Sequence, residues 1–140
     1  MFPVYKKVWA LSNIGYEYIE FHKGNKEWHL DGEFHRVDGP ALISDSGARV
    51  WYLHGKIHRE NGPAWYREET GREVWYFEGT THRIDGPALR HKDGSEEWYL
   101  YGTQVDEIEF KRVQTCPLEE LPLYLNTNFK PIVIERLKRL

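Results

Sequence analysis

Cysteine is almost absent: Cys116 is the only one in 140 residues. No intrachain disulfide can form, and a cysteine-based zinc site is excluded with it. Long apolar runs are missing too. None approaches the roughly 18 residues needed to cross a bilayer, and the opening "MFPVYKKVWALSNIG" lacks the apolar stretch of a signal peptide. These absences predict a soluble, cytoplasmic protein that keeps away from membranes. Catalytic signatures are equally scarce. The chain has no G-x-S-x-G, no H-E-x-x-H and no Gly-rich phosphate loop. No enzyme, no catalytic residue and no cofactor are expected.

Charge is limited and unevenly placed. The chain carries a net −3, but the segment from Lys111 onward is +3, which leaves −6 on the first 110 residues. An acidic body argues against broad nucleic-acid binding, which needs a basic field. It also speaks against anionic lipid surfaces. The basic tail reads as the solvated face of a helix.

Large rings, in contrast, are plentiful. Aromatics make up 15% of a chain whose mean hydropathy is only −0.71. Many rings in a polar chain predict a thin structure with an aromatic core. The rings also keep time. Trp28, Trp51, Trp75 and Trp98 are 23, 24 and 23 residues apart. A glycine stands four residues before each of them (Gly24, Gly47, Gly71, Gly94) and another four after (Gly32, Gly55, Gly79, Gly102). Between successive units stand "HRVDGPA", "HRENGPA" and "HRIDGPA", beginning at His35, His58 and His82. Such a period is the signature of a stacked repeat.

Each unit reads as a β-hairpin and a turn. "ALISDSGARVWYLHG" has two extended runs around Asp45–Gly47, and "KDG" at Lys92–Gly94 is a hairpin signal. Pro40, Pro63 and Pro87 suit the first residue of a strand, and the preceding Asp-Gly or Asn-Gly suits a turn. Alternation puts Trp28, Trp51, Trp75 and Trp98 on one face with Leu30, Leu53, Phe77 and Leu100, the predicted core. His29, Tyr52, Tyr76 and Tyr99 fall on the other face with Asp31, His54, Glu78 and Tyr101.

The pattern W-Y-x-x-G-x-x-H-R-x-[DN]-G-P-A resembles the MORN-like repeats of tailed-phage and giant-virus proteins of unknown function. It is also similar to bacterial MORN-repeat proteins described as antitoxin-like. The resemblance covers roughly Tyr16 to Phe110. It implies an elongated antiparallel β-meander of about four stacked hairpins with a binding or scaffolding role. Where a fourth His-Arg is due, Val105-Asp106 stands instead, followed by "EIEF"; terminal units of a stack are commonly atypical.

The chain therefore divides into a mainly β repeat domain over residues 1–110 and a helical cap over 111–140. "TCPLEELPLYL" and "KPIVIERLKRL" read as two short helices separated by "NTNF", covering the last strand edge. In the second, Val133, Leu137 and Leu140 form the apolar stripe, with Glu135, Arg136, Lys138 and Arg139 largely opposite.

The heptad reads as scaffold. Three copies suit stacking better than catalysis, and Asn61 replaces a carboxylate that catalysis would not release. Arg36 with Asp38, and Arg83 with Asp85, are spaced for turn-stabilising ion pairs. His and Arg are expected to donate to carbonyls of the next hairpin. Functionally, the leading expectation is a non-catalytic module that binds a protein partner through Tyr52, Trp65, Tyr66, Tyr76, Tyr99 and Tyr101. The phage resemblance implies one specific form, an inhibitor of a host enzyme or defence component. The alternative is a small-ligand or nucleotide-binding protein that uses a ladder of His35, Arg36, His58, Arg59, His82 and Arg83. His54 and His58 are a weak metal pair, read as surface histidines. Cys116 lies near an expected helix start and reads as a packing residue. The N-terminal strand near Val4–Trp9 could pair with a second copy.

Overall fold

The computed structural model describes residues 6–12, 15–121 and 130–139, with side chains described from 23 to 121 and from 131 to 139. The protein is mainly β: a large open antiparallel sheet with small hairpins and a short helical C-terminal segment. β1 (Lys6–Ser12), β2 (Gly15–His22) and β3 (Asn25–Leu30) form the first meander. Each following unit adds two strands to the same sheet: β5 (Leu42–Ile43) and β6 (Ala48–Val50), β9 (Trp65–Arg67) and β10 (Arg72–Val74), β13 (Leu89–Arg90) and β14 (Glu96–Leu100). Neighbours run β1-β2-β3-β5-β6-β9-β10-β13-β14. β1 is thus the first edge, and Lys6–Trp9 of the expected pairing strand belong to it; Val4 lies outside the described residues.

A second row of small hairpins stands beside this sheet. It consists of β4 (Glu33–Phe34) against the end of β3, β7 (Tyr52–Leu53) with β8 (Lys56–Ile57), β11 (Tyr76–Phe77) with β12 (Thr80–Thr81), and β15 (Thr103–Val105) against the end of β14. Each closes through a two-residue turn. At Asp31–Gly32, His54–Gly55, Glu78–Gly79 and Tyr101–Gly102 both residues have positive φ. This is the type I′ geometry whose twist matches paired strands. Asp31, His54, Glu78 and Tyr101 therefore sit on turn tips. They do not share a strand face with the tyrosines, as simple alternation predicts.

The sequence predicts one continuous second strand per unit. β3 and β14 do run unbroken through Trp28 and Trp98, changing strand partner there. In the two middle units the strand is interrupted at Trp51 and Trp75 as the chain passes from one row to the other. The Trp51 amide donates to the Ala64 carbonyl at 2.8 Å, and the Trp51 carbonyl accepts the His58 amide at 3.0 Å. The same pair of bonds recurs at Trp28 with Ala41 and His35, and at Trp75 with Ala88 and His82. Tryptophan's backbone thus ties the two rows together. The price in space falls on the heptad's last residue: Ala41, Ala64 and Ala88 have no exposed surface at all.

Among the residues whose side chains are described, the core is less aromatic than composition suggests. Trp28 and Phe110 are buried, but the remaining buried apolar residues are aliphatic, such as Leu30, Val50, Val74, Ile84 and Leu100. Trp51, Trp75 and Trp98 are half-buried.

The C-terminal segment begins earlier than Lys111. Helix α1 spans Glu107–Thr115, and Asp106, standing where the fourth heptad would fall, caps it by accepting the Glu109 amide at 2.7 Å. "TCPLEEL" forms only a 3-10 turn at Leu118–Glu120; the following PLYL and NTNF lie outside the described residues. Helix α2 spans Lys130–Lys138. Phe110, Val113, Leu121 and Ile132 close over Ile84 and Leu100, so the helices cap the last unit. The apolar stripe of α2 is rotated from its expected place. Ile132 is buried and Val133 packs against this core, while Leu137 and Ile134 are exposed. Leu140 lies outside the described residues. Arg136 faces inward, donating to the Val113, Gln114 and Cys116 carbonyls at 2.7–3.0 Å. Those carbonyls end α1 and have no partner within their own helix.

Candidate functional site: the repeat junctions and the cleft beneath the last helix

Each heptad arginine lies flat between a tryptophan and a glycine. The guanidinium carbons of Arg36, Arg59 and Arg83 stand 4.0, 4.0 and 3.7 Å from the ring centroids of Trp28, Trp51 and Trp75. On the opposite side, a Cβ on Gly39, Gly62 or Gly86 would come within 2.7–2.8 Å of the same carbon. Glycine is required here for space. It is not needed for an unusual backbone angle, since none of the three has positive φ. An Nη1 of each arginine donates to the proline carbonyl four residues on, at 3.1–3.2 Å. Arg36 and Arg83 also donate through Nε to Asp38 and Asp85, at 3.0 and 2.8 Å. The ion pairs that the spacing predicts are thus present in the first and third junctions. In the second junction Asn61 stands in the aspartate's place, and among the described residues no carboxylate lies within 4 Å of Arg59.

The histidines act in the opposite sense to expectation. Toward the next hairpin they accept at Nδ1 rather than donate to carbonyls. Nδ1 of His35, His58 and His82 receives the backbone amide of His54, Glu78 and Tyr101, at 2.9–3.0 Å. Those amides belong to the positive-φ turn residues of the next unit, so each histidine fixes its neighbour's turn. A backbone N–H can only donate, so the neutral ring carries its proton on Nε2. With 1–9% of their surface exposed, these rings are scaffold. His54 and His58, the possible metal pair, serve different junctions. Among the described residues no three His, Cys, Asp or Glu side chains converge as metal ligands.

The third junction is different because α2 lies against it. His82 Nε2 is 2.6 Å from Glu135 Oε2, which also accepts the Tyr101 hydroxyl at 3.0 Å. The Tyr101 ring lies over His82 with centroids 3.9 Å apart. Arg139 ties Glu135 to Asp85 at 3.2 and 3.1 Å. Burial pushes the Glu135 carboxyl up, but hydrogen bonds from His82 and Tyr101 and the Arg139 charge outweigh it and hold it below the usual carboxylate range. Burial, followed by the charge of Glu135, raises the Tyr101 phenol well above its ordinary value. Beside this cluster opens a cleft of about 490 Å³, walled by Arg59, Asn61, Tyr76, Phe77, Tyr101 and Lys138 among others.

The six expected partner-binding aromatics separate into three places. Tyr52, Tyr76 and Tyr99 hold equivalent positions in successive small hairpins, since their carbonyls accept the amides of Arg36, Arg59 and Arg83. All three are half-buried. Phe34 extends the row, stacked 4.9 Å from Tyr52. Trp65 and Tyr66 belong to β9 in the main sheet, opposite Val74 and Glu73. Tyr101 is absorbed into the Glu135 cluster.

Glu135 and Arg139 contact the third junction, although the sequence placed them on a solvent face. Nothing local marks them, because Glu135 meets His82 across 53 positions. Helix α1 did carry a signal, the D-x-x-E of Asp106 and Glu109. Cys116 caps the end of α1, not a helix start, and is half-buried. No helix among the described residues is long and apolar enough to cross a membrane. No family model, curated protein or solved structure matches the chain.

Proposed function

We propose that the protein is a non-catalytic protein-interaction module that binds its partner along the row of Tyr52, Tyr76 and Tyr99. The observation that carries this reading is their repetition in register. The main sheet gains two strands per unit, a repeat pitch of about 10 Å along which the tyrosines recur. Burial raises the phenol of Tyr52, and proximity to Tyr76 adds to it, as expected for neighbouring rings. Rigid amphipathic rings at a fixed pitch are suited to partner surfaces, because they cover area with few rotatable bonds. The heptad histidines, in contrast, hold the neighbouring turns. A specific form of the proposal, carried by the phage resemblance, is inhibition of a host enzyme or defence component.

The test is affinity purification of the tagged protein from its native cells, beside a variant with Tyr52, Tyr76 and Tyr99 all changed to Ser. A stoichiometric protein partner captured by the parent and lost by a folded variant supports the module. Equal capture by both sinks the tyrosine row, and a small molecule without any protein sinks the module.

A further inference from the structure

The three junctions repeat the same arginine with one difference. Arg36 and Arg83 are each half-buried beneath a tryptophan and neutralised by an aspartate two residues on, at 3.0 and 2.8 Å. Arg59 has the same tryptophan, the same glycine and the same proline carbonyl, but Asn61 in place of the aspartate. Glu60 does not take over: its carboxylate lies 4.0 Å from His58 Nε2 and is not paired with Arg59. Among the described residues, then, a half-buried guanidinium lacks the counter-charge its two siblings possess.

Among the described residues no hydrogen bond joins Arg59 to Asn61, and both border open space. Arg59, Glu60 and Asn61 line the 490 Å³ cleft beneath α2 and also a second cleft of about 590 Å³, which reaches back to Arg36 and Asp38. Both faces of the Arg59 guanidinium are covered, by Trp51 and Gly62, so a ligand can approach only in its plane, at the edge that carries Nε. That edge is suited to an oxyanion fork. The siblings state which oxyanion fits, because in both it is a carboxylate. Lys138, which also lines the cleft, adds positive charge against Glu60 and Glu78, while Arg139 is paired with Glu135 and Asp85. Burial lowers the Arg59 pKa from its ordinary value, as an uncompensated charge should be.

We propose that Arg59 is a carboxylate-binding site, in which an acid from outside the chain occupies the place that Asp38 and Asp85 hold in the neighbouring junctions. The acid comes either from a small free molecule or from an aspartate or glutamate of a partner protein. The site does not depend on the tyrosine row, and the test below reads Arg59 directly, so either proposal can fail alone.

The decisive variant is Asn61→Asp, which supplies the missing carboxylate internally and leaves the scaffold intact. The Arg59 Nε–H resonance is followed by NMR during titration with sodium acetate, with sodium chloride at equal ionic strength as the control. Acetate should shift that resonance in the parent at least three times as far as chloride does. In Asn61→Asp the resonance should start displaced and stay put. A blocked tripeptide with a central Asp separates the two sources. Binding at least tenfold tighter than acetate places the acid on a protein, and binding no tighter places it on a small molecule. An Arg59 resonance that ignores acetate, follows chloride equally or still titrates in Asn61→Asp overturns the proposal.

Discussion

Arg83 rests against the Cα of Gly86 so closely that a Cβ there would lie 2.7 Å from the guanidinium carbon. Gly86→Ala must therefore lift the arginine from Trp75 or push it from Asp85 and the Pro87 carbonyl, 2.8 and 3.2 Å away. Loss of the cation–π contact and one charge-assisted hydrogen bond should cost about 2–4 kcal/mol. That corresponds to a fall in Tm of roughly 6–12 °C for a chain of this size. Thermal unfolding of the Gly39, Gly62 and Gly86 alanine variants checks it. A loss under 2 °C at all three would mean the glycines serve some other purpose.

Ala64 has no exposed surface and its carbonyl receives the Trp51 amide at 2.8 Å. Ala64→Leu forces three extra carbons into the joint between the two rows, an overpacking that typically costs about 1–3 kcal/mol. Leu42, half-buried two strands away on β5, should accept Met at under about 1.5 kcal/mol. Denaturant melts of the two variants would contradict this account of the joint if Leu42→Met proved the more damaging.

These two residues also illustrate what the sequence discloses. The period of Trp28, Trp51, Trp75 and Trp98 is a local pattern in register, so the hairpins, their antiparallel pairing and the scaffold role of the heptad were legible. The Arg36–Asp38 and Arg83–Asp85 pairs followed from spacing alone. The switch of rows at tryptophan was not legible, because strand alternation says which face a side chain takes but not when a backbone leaves its sheet. The inward turn of Glu135 and Arg136 was hidden for another reason. Amphipathic periodicity treats a charge as solvated, whereas here His82 and the terminal carbonyls of α1 are waiting for those charges. The substitution of Asn61 for the aspartate of its siblings was legible at Arg59, but the half-buried guanidinium it leaves without a counter-charge needed side-chain geometry.

Glu135 joins α2 to the third junction, and its carboxyl is held below the usual range. An unfolded chain returns it to about 4.3. A carboxyl depressed on folding stabilises fully above its unfolded value, and loses that contribution as pH falls through its folded value. The parent should therefore lose Tm more steeply than Glu135→Gln as pH falls from about 5 to 3. At pH 7 the variant should already be less stable by about 1–2 kcal/mol, as charge-assisted hydrogen bonds from His82 and Tyr101 become neutral ones. Tm measured across that range decides it. Parallel curves would show that Glu135 is not what makes the helix attachment sensitive to acid.

One position offers stability without cost to any site discussed above. Lys23 and Gly24 join β2 to β3 with φ of 49° and 81°, the two positive angles of a type I′ turn, for which Asn-Gly is strongly preferred. Lysine in the left-handed region pays a Cβ–carbonyl clash of roughly 1 kcal/mol, which asparagine relieves in part by bonding its own backbone. Lys23 is exposed, so no buried contact is lost. Lys23→Asn should raise stability by about 0.5–1 kcal/mol, or roughly 2–3 °C in Tm. The same change at Glu78 is a useful contrast: that residue has a φ of 47° but lines the cleft beneath α2. Relief of strain should raise Tm there as well, while removal of a negative wall charge should tighten acetate at Arg59. If Lys23→Asn leaves Tm unchanged, the turn tolerates its left-handed lysine more easily than steric reasoning allows.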